Sequence, residues 1–208
     1  MAAKIITIAQ QKGGAGKTSL AAHLAVAFAG LGKSVAAVDI DPQGSLSMWG
    51  KQREALELGG DKLSLHQISG WRVANEVEKL AKQNDIVIID SPPHAETDAK
   101  IAVRAAKLVL VPLQPSPMDL WASQATLDMA KAEKRDVLMV LNRVPPRARL
   151  ADTIEEEIGK LGVKVANARI GNRVALAESL LSGKGITEYR GSSVAAKEIK
   201  ALADELLG

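Results

Sequence analysis

Short runs of aliphatic and β-branched residues recur along the chain, each followed by a longer stretch whose apolar positions keep helical spacing. Lys4-Ile5-Ile6-Thr7-Ile8-Ala9 is the first run, and Leu20-Ala21-Ala22-His23-Leu24-Ala25-Val26-Ala27-Phe28 is the first helical stretch. Further strands are predicted over Ser34–Asp39, Lys62–His66, Asp85–Asp90, Leu108–Pro112, Asp136–Asn142 and Val163–Ile170, with helices between them. Strands that alternate with helices in this way demand right-handed crossovers. The expected fold is therefore α/β, a doubly wound, mostly parallel sheet with helices on both faces. Turn residues fall between the elements at Gly30 and Gly32, Gly59-Gly60, Pro92-Pro93, Pro115 and Pro117, and Pro145-Pro146. No repeat, low-complexity tract or linker divides the chain, so residues 1–208 read as one domain.

Composition narrows this picture in two ways. Hydrophobic residues make up 47% of the chain but aromatics only 2%, so the core must be built from Ala, Val, Leu and Ile, as a sheet buried on both faces requires. The chain has no cysteine, which excludes disulfides, thiolate metal sites and cysteine-ligated clusters and agrees with a cytoplasmic home. No apolar run of about 18 residues and no signal-peptide pattern is present, so neither a membrane span nor export is expected.

The candidate chemistry begins between the first strand and the first helix, at Gln11-Lys12-Gly13-Gly14-Ala15-Gly16-Lys17-Thr18-Ser19. Glycines there let successive backbone N–H groups face one anion, and the start of the helix adds a partial positive charge. Lys17 is placed to reach the outer phosphates of a nucleotide and the Thr18 hydroxyl to ligate Mg²⁺. The strict phosphate-loop pattern G-x-x-x-x-G-K-[ST] fails, because Gln11 stands where its first glycine belongs. Two more elements deliver carboxylates at strand ends, where an open α/β sheet has its ligand crevice. One is Ser34-Val35-Ala36-Ala37-Val38-Asp39-Ile40-Asp41-Pro42-Gln43-Gly44. The other is Ile86-Val87-Ile88-Ile89-Asp90, whose terminal acid sits on a wholly apolar strand and must find a cation. Asp41 also has the position of a turn or helix cap.

With Lys12 added, the loop reads K-G-G-x-G-K-[ST], and the chain resembles the ParA/MinD family of deviant Walker-type P-loop ATPases, the short ParF-type ParA proteins most of all. The iron protein of nitrogenase shares this loop but needs cysteines, so that branch is excluded. The resemblance implies ATP and Mg²⁺ as ligands, with Gly13, Gly14, Ala15, Gly16, Lys17, Thr18 and Ser19 in the phosphate cradle. It implies that Lys12 crosses to the partner's nucleotide in an ATP-bound homodimer, much as an arginine finger acts in trans. By the same resemblance Asp41 positions the attacking water, Thr18, Asp39 and Asp90 serve the Mg²⁺ shell, Ser91–His94 is the second switch and Asn142 contacts the adenine. Pro112–Asp119 corresponds to a proline-bearing loop near the nucleotide and the dimer face; an ordinary strand-to-helix connection is the alternative.

Charge bears on partners. The formal net charge is only +3, but basic residues cluster toward the C-terminal half. ParA relatives bind DNA without sequence preference through such residues, which here are Arg147, Arg149, Arg169, Arg173, Arg190, Lys197 and Lys200. Charges solvated on helices and loops are the alternative reading of the same residues. The resemblance further implies a ParB-like or cargo-adaptor protein that stimulates hydrolysis, nucleoid association, and a cargo that is a plasmid, a chromosome or a protein cluster. A MinD-like membrane regulator is disfavoured, because Ala203-Asp204-Glu205-Leu206-Leu207-Gly208 lacks a basic amphipathic character. A dethiobiotin- or cobyrinate-type biosynthetic enzyme is the third reading. The three histidines have no metal-ligand spacing, and Trp49, Trp71 and Trp121 are too scattered to form a base-stacking platform.

Overall fold

The computed structural model describes residues 3–58, 60–93, 96–147 and 149–208. The strands are β1 (Lys4–Ile8), β2 (Val35–Asp39), β3 (Leu63–Gln67), β4 (Ile86–Asp90), β5 (Leu108–Leu113), β6 (Asp136–Leu141) and β7 (Lys164–Val165). They form a 7-stranded sheet in the order β3-β2-β4-β1-β5-β6-β7, every neighbouring pair parallel. The helices are α1 (Lys17–Gly30), α2 (Ser45–Ala55), α3 (Val73–Gln83), α4 (Glu96–Ala105), α5 (Pro117–Ala132), α6 (Arg149–Lys160), α7 (Val174–Leu181), α8 (Ile186–Tyr189) and α9 (Val194–Leu207).

Alternate strand residues serve the two faces. Ile6, Ile8, Val35, Ala37, Ile86, Ile88, Leu110 and Val140 pack with α1 and α9. On the other face Ala36, Val38, Val87 and Ile89 meet α3 and α4, while Val109, Val111, Met139 and Leu141 meet α5 and α6. Every residue of β2 and β4 is buried, which is why those strands carry continuous apolar runs rather than alternation.

The first helix is apolar all round, being buried without a break from Leu20 to Phe28. It lies between the sheet and a further layer made by α7, α8 and α9. Small side chains allow that close sandwich. A Cβ on Gly185 would sit 2.6 Å from Val26 Cβ, so the start of α8 depends on glycine there. His23 seals the same seam, its Nδ1 accepting the Ile186 N–H at 3.2 Å.

The last predicted strand, Val163–Ile170, shrinks to Lys164–Val165. Beyond it the Ala166 and Ile170 amides still donate to Met139 and Leu141. Between them the Asn167 and Ala168 amides turn to the Glu205 carboxylate of α9, at 2.9 and 3.2 Å, so the regular ladder cannot continue. A bridge between Val144 and Gly171 then ties the loop after β6 to the loop before α7.

Candidate functional site

The chain leaves β1 at the centre of the sheet and turns through Ala9–Gly16 into α1. Gly14 and Gly16 hold φ of 78° and 88°, the left-handed region that L side chains rarely adopt. At Gly16 the restriction is double, since a Cβ would also lie 2.5 Å from Asn142 Nδ2. That amide is the clasp of the loop: Asn142, at the tip of β6, donates from Nδ2 to Ala15 O at 2.8 Å and accepts the Arg143 N–H on Oδ1 at 3.0 Å. A residue expected to read the base therefore also fixes the cradle.

Lys17 is buried and donates to Gln10 O at 2.9 Å. Burial lowers its pKa, while the nearby charges of Asp90 and Asp41 oppose that shift. Asp90 ends β4 fully buried, directly across from Asp39 in the strand register, and neither of its carboxylate oxygens makes a well-formed hydrogen bond. Desolvation pushes its pKa up to about 7; the Thr18 hydroxyl and Lys17 work against the rise and Asp39 and Asp41 add to it. An orphaned acid beside a threonine hydroxyl is what an oxygen-preferring cation compensates. Among the described residues no cluster of three His, Cys, Asp or Glu side chains could hold a metal alone. A divalent ion here needs oxygens from a nucleotide as well, which fits Mg²⁺ carried on phosphates.

Asp39 is occupied differently. Its Oδ2 accepts from both the backbone N–H and the hydroxyl of Ser47 at 2.8 Å, and its Oδ1 from the Asp41 N–H at 3.1 Å. It thus anchors the first turn of α2. Asp41 is half-buried and closes a turn by accepting the Gln43 N–H at 2.9 Å, which leaves one carboxylate oxygen outside that turn. Gly14, Gly16, Lys17, Thr18, Ser19, Asp41, Met48, Pro93 and Arg143 line a cavity of about 480 Å³ over the loop. A larger one, about 760 Å³, lies at the opposite edge among Asp128, Lys131, Arg135 and Lys164, with no glycine cradle.

Lys12 does not line its own cavity. Its Nζ pairs with Asp119 Oδ2 at 2.5 Å. Asp119 is 4% exposed and sits in the first turn of α5; the hydroxyl of the N-cap Ser116 donates to the same oxygen at 2.9 Å, and Oδ1 has no partner. The lysine is half-exposed and held by an acid on α5 rather than seated on its own cradle. The Pro112–Asp119 stretch divides accordingly. Pro112 lies within β5, beyond the last rung that β5 shares with β1, and Pro117 opens α5.

The basic residues separate into two groups. Arg169 pairs with Glu155 and Asp152, Arg173 with Glu198, and Arg190 with Glu178. Those carboxylates raise the pKa of Arg169 and Arg173 further. No ion pair among the described residues engages Arg143, Arg147 or Arg149. The Val144–Gly171 bridge sets 143–147 beside 169–173 at the carboxyl edge of the sheet, whereas Lys197 and Lys200 stand on α9. Trp49 is buried under the Arg53 guanidinium, while Trp71 and Trp121 are exposed. His94, in the expected second switch, and Gly59 lie outside the described residues.

Three site residues escape sequence reasoning. Ser116-Pro117-Met118-Asp119 has the form of a helix start, but nothing in it names a partner 107 residues away. Ser47 and Arg143 join the site only through the packing of α2 and β6 against the loop.

A profile of the CobQ/CobB/MinD/ParA nucleotide binding domain matches residues 6–186 of the chain. Maintenance of carboxysome distribution protein A from Gloeobacter kilaueensis is 31% identical over 209 residues, spanning 98% of this chain and 94% of that protein. The chromosome-partitioning ATPase Soj of Thermus thermophilus is 29% identical over 235 residues, with 97% and 94% covered. Among solved structures, the septum site-determining protein MinD of Pyrococcus horikoshii complexed with Mg-ADP shares the fold, with a TM-score of 0.81, 20% identity, and 98% of this chain and 96% of that one covered.

Proposed function

Because the chain belongs to the CobQ/CobB/MinD/ParA family of nucleotide-binding domains, we propose that it is a Mg²⁺-dependent ATPase that pairs two copies around ATP, holds non-specific DNA in that state and positions a cargo. The backbone amides of Gly13–Ser19 and the Lys17 ammonium hold the phosphates, and the Thr18 hydroxyl and the Asp90 carboxylate face the ion. Mg²⁺, when bound, neutralises charge that builds up on the phosphoryl oxygens. Asp41, with one oxygen outside its turn, orients water on the open side of the cavity. Asp39 keeps the start of α2, and with it Asp41, in register.

Lys12 carries this proposal. A cation at the rim of a phosphate cradle, absent from the lining of its own cavity and parked on Asp119, is available to a second copy's nucleotide. In that position it supplies charge only on dimerisation. DNA is favoured over a bilayer as the surface bound, because the apolar face of α9, with Ala195, Ile199, Leu202 and Leu206, is already packed into the core with α1. No described helix is long and apolar enough to cross a membrane. A partner protein that stimulates hydrolysis completes the cycle by releasing the dimer.

Lys12→Ala is the test. ADP binding should stay within about twofold of the parent, while ATP turnover should fall by about 10³-fold, the scale of a cation supplied in trans. Parental turnover in the variant removes Lys12 from the mechanism. Sedimentation that finds only single subunits with ATP removes the dimer.

A further inference from the structure

Arg143 is the cation of the cavity that no motif accounts for. It follows the clasp residue Asn142 and takes a left-handed backbone, φ 53°, where an arginine has no intrinsic reason to be. That conformation is imposed from both sides. Asn142 Oδ1 accepts the Arg143 N–H, and the next residue, Val144, is locked by the N–H it donates to Ile170 O at 2.9 Å and by its bridge to Gly171. The effect is to turn the side chain back over the loop rather than out toward Arg147. Arg143 Nε comes within 3.8 Å of the point where a Cβ on Gly16 would stand, and the residue lines the cavity with Gly14, Gly16, Thr18 and Ser19. No carboxylate among the described residues forms an ion pair with it, so its donors are not spent within the chain.

We infer that Arg143 is a polyphosphate ligand acting within its own subunit, a clamp on the outer side of a nucleoside di- or triphosphate seated in the glycine loop. Lys17 is inside the loop and faces the anion from beneath, bonded to Gln10 O. Arg143 approaches from the open side, where a guanidinium can give two hydrogen bonds to one phosphate. The inference rests on the nucleotide assignment of this cavity but not on dimerisation or DNA, because it concerns a contact a single subunit makes.

Titration calorimetry of the full chain with Mg-ADP, and with pyrophosphate as a nucleoside-free probe, tests it in the parent and in Arg143→Asn, Arg143→Lys and, as a control outside the cavity, Arg72→Gln. Asparagine tolerates the left-handed backbone, so the fold is kept. Loss of Arg143 should weaken both ligands about tenfold, the worth of a charge-assisted hydrogen bond, and flatten the salt dependence of binding. Lysine should recover part of the loss, and Arg72→Gln should bind like the parent. Equal affinity for ADP and pyrophosphate in Arg143→Asn and parent overturns the clamp while leaving the nucleotide site intact. Weakened ADP with unchanged pyrophosphate also overturns it, placing the side chain on the nucleoside instead. If the parent itself binds neither ligand, the nucleotide assignment falls and the clamp falls with it.

Discussion

Two buried groups pull the stability of the nucleotide-free chain in opposite directions with pH. His23 is buried and its pKa falls from 6.5 to about 4, chiefly through desolvation. The unfolded chain takes that proton first, so the stability His23 supports is whole above pH 6.5 and drains as pH falls toward 4. Asp90 has its pKa raised from 3.8 to about 7, so its contribution is whole below pH 3.8 and is lost as pH rises through 7. Between pH 7 and 5 each amounts to about 2 kcal/mol, and the two nearly cancel. Urea melts should then show a flat parent, an Asp90→Asn variant that loses about 2 kcal/mol on acidification and a His23→Gln variant that gains about as much. Flat profiles in all three would mean that neither group is held as described. Asp119 invites a second experiment at this scale. Removing its charge frees Lys12 without losing the Ser116 cap, so Asp119→Asn should shift the proposed ATP-dependent equilibrium toward dimer by about fivefold, a pair worth about 1 kcal/mol. Dimerisation indistinguishable from the parent in sedimentation titrations speaks against storage of the lysine. Lys17, Thr18 and Asp90 were legible in the sequence because each obeys a local rule, a cation after glycines or an acid ending an apolar strand. Asp119 was not, because its role depends on α5 meeting the loop.

At the level of elements, α2 is the link between the nucleotide cavity and the C-terminal layer. Its first turn is tied to the tip of β2 by Asp39 and Ser47. Near its other end Arg53 donates to Gly183 O and Leu58 O and grips the Glu188 carboxylate with both terminal nitrogens at 2.7 and 2.9 Å, while Gln52 reaches Leu181 O. Glu188 in turn accepts the Gly185 N–H at the start of α8. Arg53→Met should cost about 2 kcal/mol in denaturation, less than a fully buried pair because Glu188 is partly exposed. Arg53→Lys should not restore it, since one ammonium cannot replace the fork. Full stability of the methionine variant would show that the clamp contributes nothing. Most strands were readable to within a residue, because burial on both faces leaves an unmistakable aliphatic run. Val163–Ile170 alternates apolar with polar residues as a half-buried strand does, yet an acid on α9, Glu205, takes its amides, and such competition cannot be seen from local pattern.

At the scale of the whole molecule, the proposed DNA binding assigns different roles to the paired and the unpaired arginines. Arg169, Arg173 and Arg190 must give up carboxylate partners before they can bind phosphate, whereas Arg147 and Arg149 have no such pair among the described residues. Reversing charge at Arg147 and Arg149 together should weaken ATP-dependent retardation of random DNA by about tenfold or more and lower its salt slope. Neutralising Arg173 should act mainly on stability, through Glu198 and the Gly171 N–H that it accepts. Unchanged retardation in the double variant would move the DNA surface elsewhere, to Lys197 and Lys200 on α9.

The amino-acid order by itself determined the doubly wound sheet, the glycine cradle and the acids at its strand tips, because periodicity, left-handed turns and an unpaired acid on an apolar strand act over neighbouring residues. Only the tertiary structure decided that Lys12 rests on Asp119, that Asn142 clasps the loop, that Arg143 bends back over it and that α2 is bolted to α8. Those are contacts between groups far apart in the chain, and they exist only once the sheet has fixed where each loop emerges.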